Sequence, residues 1–206
     1  SSAPPRPVSP VSSIASLDDP GPECGKENIC IVGMPRSGTS LLESIITANN
    51  QVFPGNELKS MNRLYDNIFE DSKNTNLSEK IDYIGKEYFN ITCDIKGRYD
   101  YIVDKMPVNV DLIGFILKSL PKAKIILLLR NPWDIAISIY KQYYIKNITY
   151  AASFFNIGVI MANFEAIVNF WLSHPDIRNK IYVLKYEDLI NNFDFEQKSI
   201  YHFCEI

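Results

Sequence analysis

Residues 33–40 read Gly-Met-Pro-Arg-Ser-Gly-Thr-Ser, and the interval between the two glycines is that of a phosphate-binding loop. The preceding run NICIVGM (28–34) is apolar and rich in β-branched residues, which predicts a buried strand. Behind the loop, Leu41, Leu42, Ile45 and Ile46 recur at helical spacing. Strand, glycine turn and helix together let backbone N–H groups and a helix N-terminus converge on an anion. Thr39 and Ser40 add hydroxyl donors, and Arg36 supplies a guanidinium fork suited to an oxyanion. Thr39 stands where nucleoside triphosphatases carry a lysine. The chemistry indicated is anion binding, with little support for ATP hydrolysis.

A second cationic position lies at the end of KIILLLR (124–130), the clearest central-strand signal in the chain. Arg130 closes that run, and Ser138 falls in the first turns of the following helix. An arginine at a strand end is often only a salt-bridge partner. Beside the glycine loop, Arg130 and Ser138 suggest a ligand with two separated phosphate-like groups. Asp134 is read as the cap of that helix. In YIVDK (101–105), Lys105 ends a further strand and can point into a site, or else form a salt bridge to Asp104 or a neighbour. Asp104 is read as orienting Lys105 or the backbone, with a magnesium ligand as the alternative.

The elements that must position these groups follow from periodicity and punctuation. Pro54, Gly55 and Asn56 break the chain, and helical stretches fill 57–90. Asn109 is expected to cap a helix running to Leu120, closed by Pro121. A long helix near 151–174, a strand IYVLKY (181–186) and helical tail segments complete the pattern. Alternating strands and helices imply a three-layer α/β domain with a central parallel sheet flanked by helices. Ligands of such sheets sit at the carboxyl ends of the strands, which singles out the loops after Met34, Lys105, Arg130 and Tyr186.

The 206 residues are 46% hydrophobic and 22% charged, with a formal net charge of −3. That balance supports one well-cored domain and excludes a broadly basic nucleic-acid or anionic-membrane binder. Cys24, Cys30, Cys93 and Cys204 show neither zinc-ligand spacing nor a disulfide framework. Residues 1–26 are Pro/Ser-rich and read as a disordered leader before a domain over 27–206. Residues 151–172 are apolar, but Asn156, Asn163, Glu165 and Asn169 favour a mostly buried soluble helix over a membrane span. The lack of a visible anchor favours the cytoplasm, with the Golgi lumen as the alternative if a missing N-terminal segment holds one. Asn-x-Ser/Thr triplets at Asn76, Asn90 and Asn147 would permit glycosylation there, but an Asn-rich chain produces them by chance.

The segments IVGMPRSGTSLLE, VDKMPVN, IILLLRNPWDIAISIY and VLKYEDL resemble the sulfotransferase superfamily. They are most similar to the tyrosylprotein sulfotransferases and to bacterial sulfotransferase domains found behind tetratricopeptide repeats. The resemblance implies a P-loop-like fold, 3′-phosphoadenosine 5′-phosphosulfate (PAPS) as donor, and no catalytic metal. It places Arg36, Ser37, Gly38, Thr39 and Ser40 on the donor's 5′-phosphosulfate, and Arg130 and Ser138 on its 3′-phosphate. It also sets Tyr186 near the nucleotide and Lys105 near the transferring group.

The only histidines, His174 and His202, lie outside the crevice loops, and Gly55-Asn56-Glu57 matches the segment holding the relatives' catalytic base. Glu57 is therefore the expected base, its plainer role being an acid favoured at a helix N-terminus. Lys59 replaces an arginine of the relatives and leaves the acceptor open. A protein tyrosine, glycan, lipid or small molecule, offering a hydroxyl or amine, all fit, and an N-terminal repeat domain in the full-length protein is compatible. Relatives also continue past the position of Ile206, so a domain truncated at its C-terminus is expected. The alternatives are a kinase-like phosphotransferase with Asp104 on Mg²⁺, and an inactive nucleotide-binding fragment.

Overall fold

In the computed structural model, which describes residues 25–70, 76–146, 151 and 153–206, the apolar runs become the strands of one sheet. These are β1 (Asn28–Gly33), β2 (Val52–Pro54), β3 (Tyr101–Lys105), β4 (Lys124–Leu129) and β5 (Ile181–Lys185). All pair in parallel, in the order β2-β3-β1-β4-β5. The short edge strand β2 was read from sequence only as a chain break. With three residues and a terminal proline it has no periodicity to detect.

Side-chain alternation along the strands divides the core. Ile29 and Ile31 of β1, with Ile126 and Leu128 of β4, pack on α1 (Thr39–Ile46) and α9 (Phe193–Cys204). Cys30, Val32, Ile125 and Leu127 face the other way, toward α3 (Leu77–Lys96) and α4 (Ile113–Ser119). The remaining helices are α2 (Ser60–Glu70), α5 (Pro132–Lys146), α6 (Phe154–Leu172), α7 (Pro175–Arg178) and α8 (Tyr186–Asn191). The result is the three-layer α/β sandwich with a covered parallel sheet that the strand pattern implies.

Three local expectations are corrected. Asn109 does not cap a helix: it lies buried within a 3-10 turn (Pro107–Leu112) before α4, and its Oδ1 accepts from the Asn62 amide. Asn131, not Asp134, caps α5, since its Oδ1 accepts the Trp133 N–H at 2.9 Å. Pro132 fits the first helical position because it has no N–H to lose. Finally, α6 is not mostly buried. Only Ile157, Val168 and Trp171 are buried, whereas Phe155 is 78% exposed. Its mean hydropathy of 1.4 over an 18-residue window makes it long and apolar enough to cross a membrane, yet these three residues seat one narrow stripe of it on the domain.

Of the expected leader, residues 1–24 lie outside the described residues, as do Cys24 and Asn147, while Gly25 packs against Leu120. Cys30, Cys93 and Cys204 are free thiols.

Where α3 crosses α4 the backbones come very close. A Cβ on Gly85 would lie 2.2 Å from the Ser119 carbonyl oxygen. Gly85→Ala should therefore destabilise the protein by about 1–3 kcal/mol through overpacking, despite alanine's better helix propensity. Urea denaturation measures this directly, and an alanine variant as stable as the parent would contradict the close packing.

Candidate functional site

The glycine loop leaves β1 at Gly33, whose Cβ, if present, would meet the Leu128 carbonyl oxygen at 2.6 Å. Only glycine lets the loop rise this close to β4. The turn is closed by the Ser37 N–H donating to Met34 O at 3.1 Å, with Arg36 held at φ 74° in the left-handed region. Gly38 follows at φ 105°, directly against the Tyr186 ring, where a Cβ would come within 2.6 Å. No side chain caps α1, so its first amides remain free to face an anion. Ser37 Oγ is buried at the base of this turn without a hydrogen-bond partner.

The loops after β4 and β5 meet this turn. Arg36 Nε donates to Ser138 Oγ at 3.0 Å, which ties the glycine loop to α5. Arg130 Nη1 reaches Arg36 O at 3.4 Å, and the Arg130 guanidinium carbon lies 4.2 Å from the centre of the Tyr186 ring. Arg130 Nε is buried without a partner, and Asp134 stands 3.9 Å from Nη2. The residues expected to hold two phosphates (Arg36 to Ser40, Arg130, Ser138 and Tyr186) thus form one connected group around the ends of β1, β4 and β5. Guanidinium stacking on a tyrosine face fixes the plane of the fork.

At the end of β3 a second group assembles. Lys105 is buried, its side chain 9% exposed, and its Nζ donates to Glu57 Oε1 at 3.2 Å. The same Nζ is 3.9 Å from Glu43 Oε2. Glu57 itself sits on the surface with 57% of its side chain exposed. The plainer reading of Lys105, a salt bridge to Asp104 or a neighbour, is met by the neighbours Glu57 and Glu43 and not by Asp104. Strand alternation sends Asp104 to the opposite face, where Oδ2 accepts from Tyr88 Oη at 2.6 Å and Oδ1 from the Leu58 N–H at 3.3 Å. Asp104 is thereby committed to neighbours in the core, which disfavours the magnesium-ligand alternative. Among the described residues, no group of three or more His, Cys, Asp and Glu could hold a metal. His174 is half-buried at the end of α6 and His202 exposed in α9, both outside these loops, with His174 Nδ1 2.7 Å from Phe170 O.

Glu43 went unnoticed in the sequence. It is buried in α1, accepts the Asn56 N–H on Oε1 at 2.9 Å, and lies beside Lys105. A signal was available, because Glu43 shares a helix face with Leu42 and Ile46, where a charge is out of place. Burial raises its carboxyl above the usual range, and the Asn56 N–H and Lys105 partly oppose that rise. Asp104 is pushed up to about 7, again chiefly by burial, with Glu43 adding to the rise and Tyr88, Leu58 and Lys105 opposing it.

An anion-ready glycine loop at the switch point of a parallel sheet places this chain among the phosphate-loop α/β proteins. Within that class it belongs to the sulfotransferase family, which its residues 28–206 match. An uncharacterised protein of Aquifex aeolicus (strain VF5) is 29% identical over 206 aligned positions, covering 88% of this chain and 26% of that protein. The chain thus spans about a quarter of that relative's length. Among solved structures, the sulfotransferase from Alicyclobacillus acidocaldarius superposes with a TM-score of 0.61 at 16% identity, covering 87% of this chain and 81% of its own. Mouse sulfotransferase SULT7A1 complexed with PAP gives 0.57 at 18% identity, with 95% and 63% covered. Sulfotransferase STF9 from Mycobacterium avium gives 0.61 at 11% identity, with 94% and 66% covered. These likenesses establish the fold.

Asp104 carries a pH signature. Between its ordinary value of 3.8 and about 7, the folded protein keeps a proton that the unfolded chain has released, so this group's stabilising contribution is lost as pH rises. The urea midpoint of the parent should fall relative to Asp104→Asn from about pH 4 to about pH 7, and hold level above that. A pH-independent difference between the two would contradict the buried, proton-retaining carboxyl.

Proposed function

We propose that this chain transfers a sulfuryl group from PAPS to a hydroxyl or amine acceptor by in-line displacement. The observation that carries the reading is the pairing of two sites at adjacent strand ends: an anion cradle with an unpartnered Ser37 hydroxyl and Arg130 Nε, and a Lys105–Glu57 ion pair. The cradle fits the donor. The glycine turn and the free amides of α1 suit the 5′-phosphosulfate, and Arg130 suits the 3′-phosphate together with Ser138, whose hydroxyl here accepts from Arg36 Nε. The mouse structural neighbour was solved with PAP, the nucleotide left after transfer.

In this mechanism Glu57 takes the proton of the acceptor as the acceptor's oxygen or nitrogen attacks sulfur. The bond between sulfur and the 5′-phosphate oxygen breaks, and its electron pair leaves with the nucleotide. Lys105 and Arg36 neutralise the charge that grows on that oxygen, so no metal is needed for this role. The 3.2 Å contact between Lys105 Nζ and Glu57 brings both side chains to the end of β3, and it opens when Glu57 turns to the acceptor and Lys105 to the leaving oxygen.

Three measurements test the reading. PAP should raise the melting temperature in a thermal-shift assay more than ATP with magnesium does, and Arg130→Ala should weaken PAP binding by about 10-fold or more. A preference for ATP with magnesium would instead support the kinase-like reading. Glu57→Gln should lower sulfuryl transfer to a cognate acceptor by about 10²–10⁴-fold while PAP affinity stays within about twofold. Undiminished transfer would remove Glu57 from its role, and PAP binding without transfer to any acceptor would identify a nucleotide-binding fragment.

A further inference from the structure

The side chain of Glu57 is largely exposed, and an exposed carboxylate on a loop has rotameric and backbone freedom that a general base must lose. The segment 56–58 is held in an unusual way. Asn56 adopts φ 56°, a left-handed conformation that a non-glycine residue keeps only when its surroundings impose it. The amide before Glu57, the Asn56 N–H, donates to Glu43 Oε1 at 2.9 Å. The amide after it, the Leu58 N–H, donates to Asp104 Oδ1 at 3.3 Å. The Asn56 carbonyl accepts the Lys105 N–H at 2.9 Å, so the loop is also docked to the end of β3. Glu43 and Asp104 are 7% and 1% exposed; Glu43 comes from α1 on one face of the sheet, and Asp104 from β3 with its side chain turned to the other face.

We infer that Glu43 and Asp104 are positioning residues: a pair of buried carboxyl groups that grip the backbone amides on either side of Glu57 and so hold the base at the mouth of the site. The inference rests on the reading of Glu57 as base. Burying a carboxylate is costly, and an amide or hydroxyl could accept the same backbone N–H without that cost. A carboxyl group offers two oxygens, and each of these holds its backbone N–H with one while the other meets a second partner, Lys105 for Glu43 and Tyr88 for Asp104. Glu43 has a second task that a neutral residue could not perform. Its other oxygen lies 3.9 Å from Lys105 Nζ and offsets the charge of that buried ammonium when Glu57 turns toward an acceptor. Asp104 is fixed in turn by the buried Tyr88 hydroxyl at 2.6 Å, so the grip on Leu58 is anchored in the core under α3.

Amide hydrogen exchange at Asn56 and Leu58 reads the grip without any acceptor. Glu43→Ala should speed exchange at Asn56 by about 10-fold or more and lower sulfuryl transfer by about 10–100-fold, with PAP affinity within about twofold of the parent. Glu43→Asp keeps the charge but is one methylene short of Asn56, and should behave like the alanine variant. Glu43→Gln keeps an acceptor for Asn56 and should restore its slow exchange. Asp104→Ala should speed exchange at Leu58, and Asp104→Asn should restore it.

Unchanged Asn56 exchange in both Glu43→Ala and Glu43→Asp would overturn the inference. So would a loss of PAP affinity and melting temperature matching the loss of transfer, which would mark Glu43 as a general packing residue. Failure of the base assignment is distinguishable: Glu57→Gln would then transfer normally, while the exchange pattern at Asn56 and Leu58 would still follow Glu43 and Asp104.

Discussion

A buried ammonium at the end of β3 is the constraint around which this molecule is arranged. Lys105 has lost most of its water, and an unpaired charge in that position would be strongly unfavourable. Its partners come from two directions: Glu43 from α1, the helix that begins at the glycine loop, and Glu57 from the turn after β2. One cation therefore links the anion cradle to the edge of the sheet. The same balance explains why Glu43 is tolerated on an apolar helix face, and why the chain kinks through a left-handed Asn56 to bring Glu57 within reach.

The cradle itself is braced by contacts between loops that are distant in sequence. Arg36 meets Ser138, Arg130 meets the Arg36 carbonyl, and Tyr186 fills the space that a Cβ on Gly38 would need. Three strand ends must be in parallel register for these contacts to form, and the pairing of Gly33 with Leu128 and of Leu128 with Leu184 supplies it. The absence of a Cβ at Gly33 and at Gly38 is thus a requirement of packing between strands as much as of the turn.

Much of this was legible in the residues. Continuous apolar runs such as KIILLL mark strands buried on both faces, and the glycine interval with Arg36 marks the cradle, because local rules govern both. Glu57 was found through its resemblance to a family segment rather than through its own chemistry. What escaped depended on which surface an element faces. Periodicity in α6 cannot say how wide a neighbour it has, and only a narrow stripe ending in Val168 and Trp171 found one. Asn109 has the type of a capping residue, but the preceding Pro107 started a tighter turn, and Asn62 claimed its side chain. Glu43 and Asp104 draw their meaning from amides of a loop far away in sequence, and no spacing rule reaches that far.

The strand order also divides the mouth of the sheet into two sides. β1, β4 and β5 lie together on one side and carry the cradle, while the chain makes its long excursion through α2 and α3 between β2 and β3 on the other. That excursion is keyed to the sheet beneath it, since Gly85 closes on Ser119 and the Tyr88 hydroxyl on Asp104. A shift in how α3 seats would therefore reach the loop that carries Glu57 through Asp104 and the Leu58 amide, while the strands under the cradle keep their register.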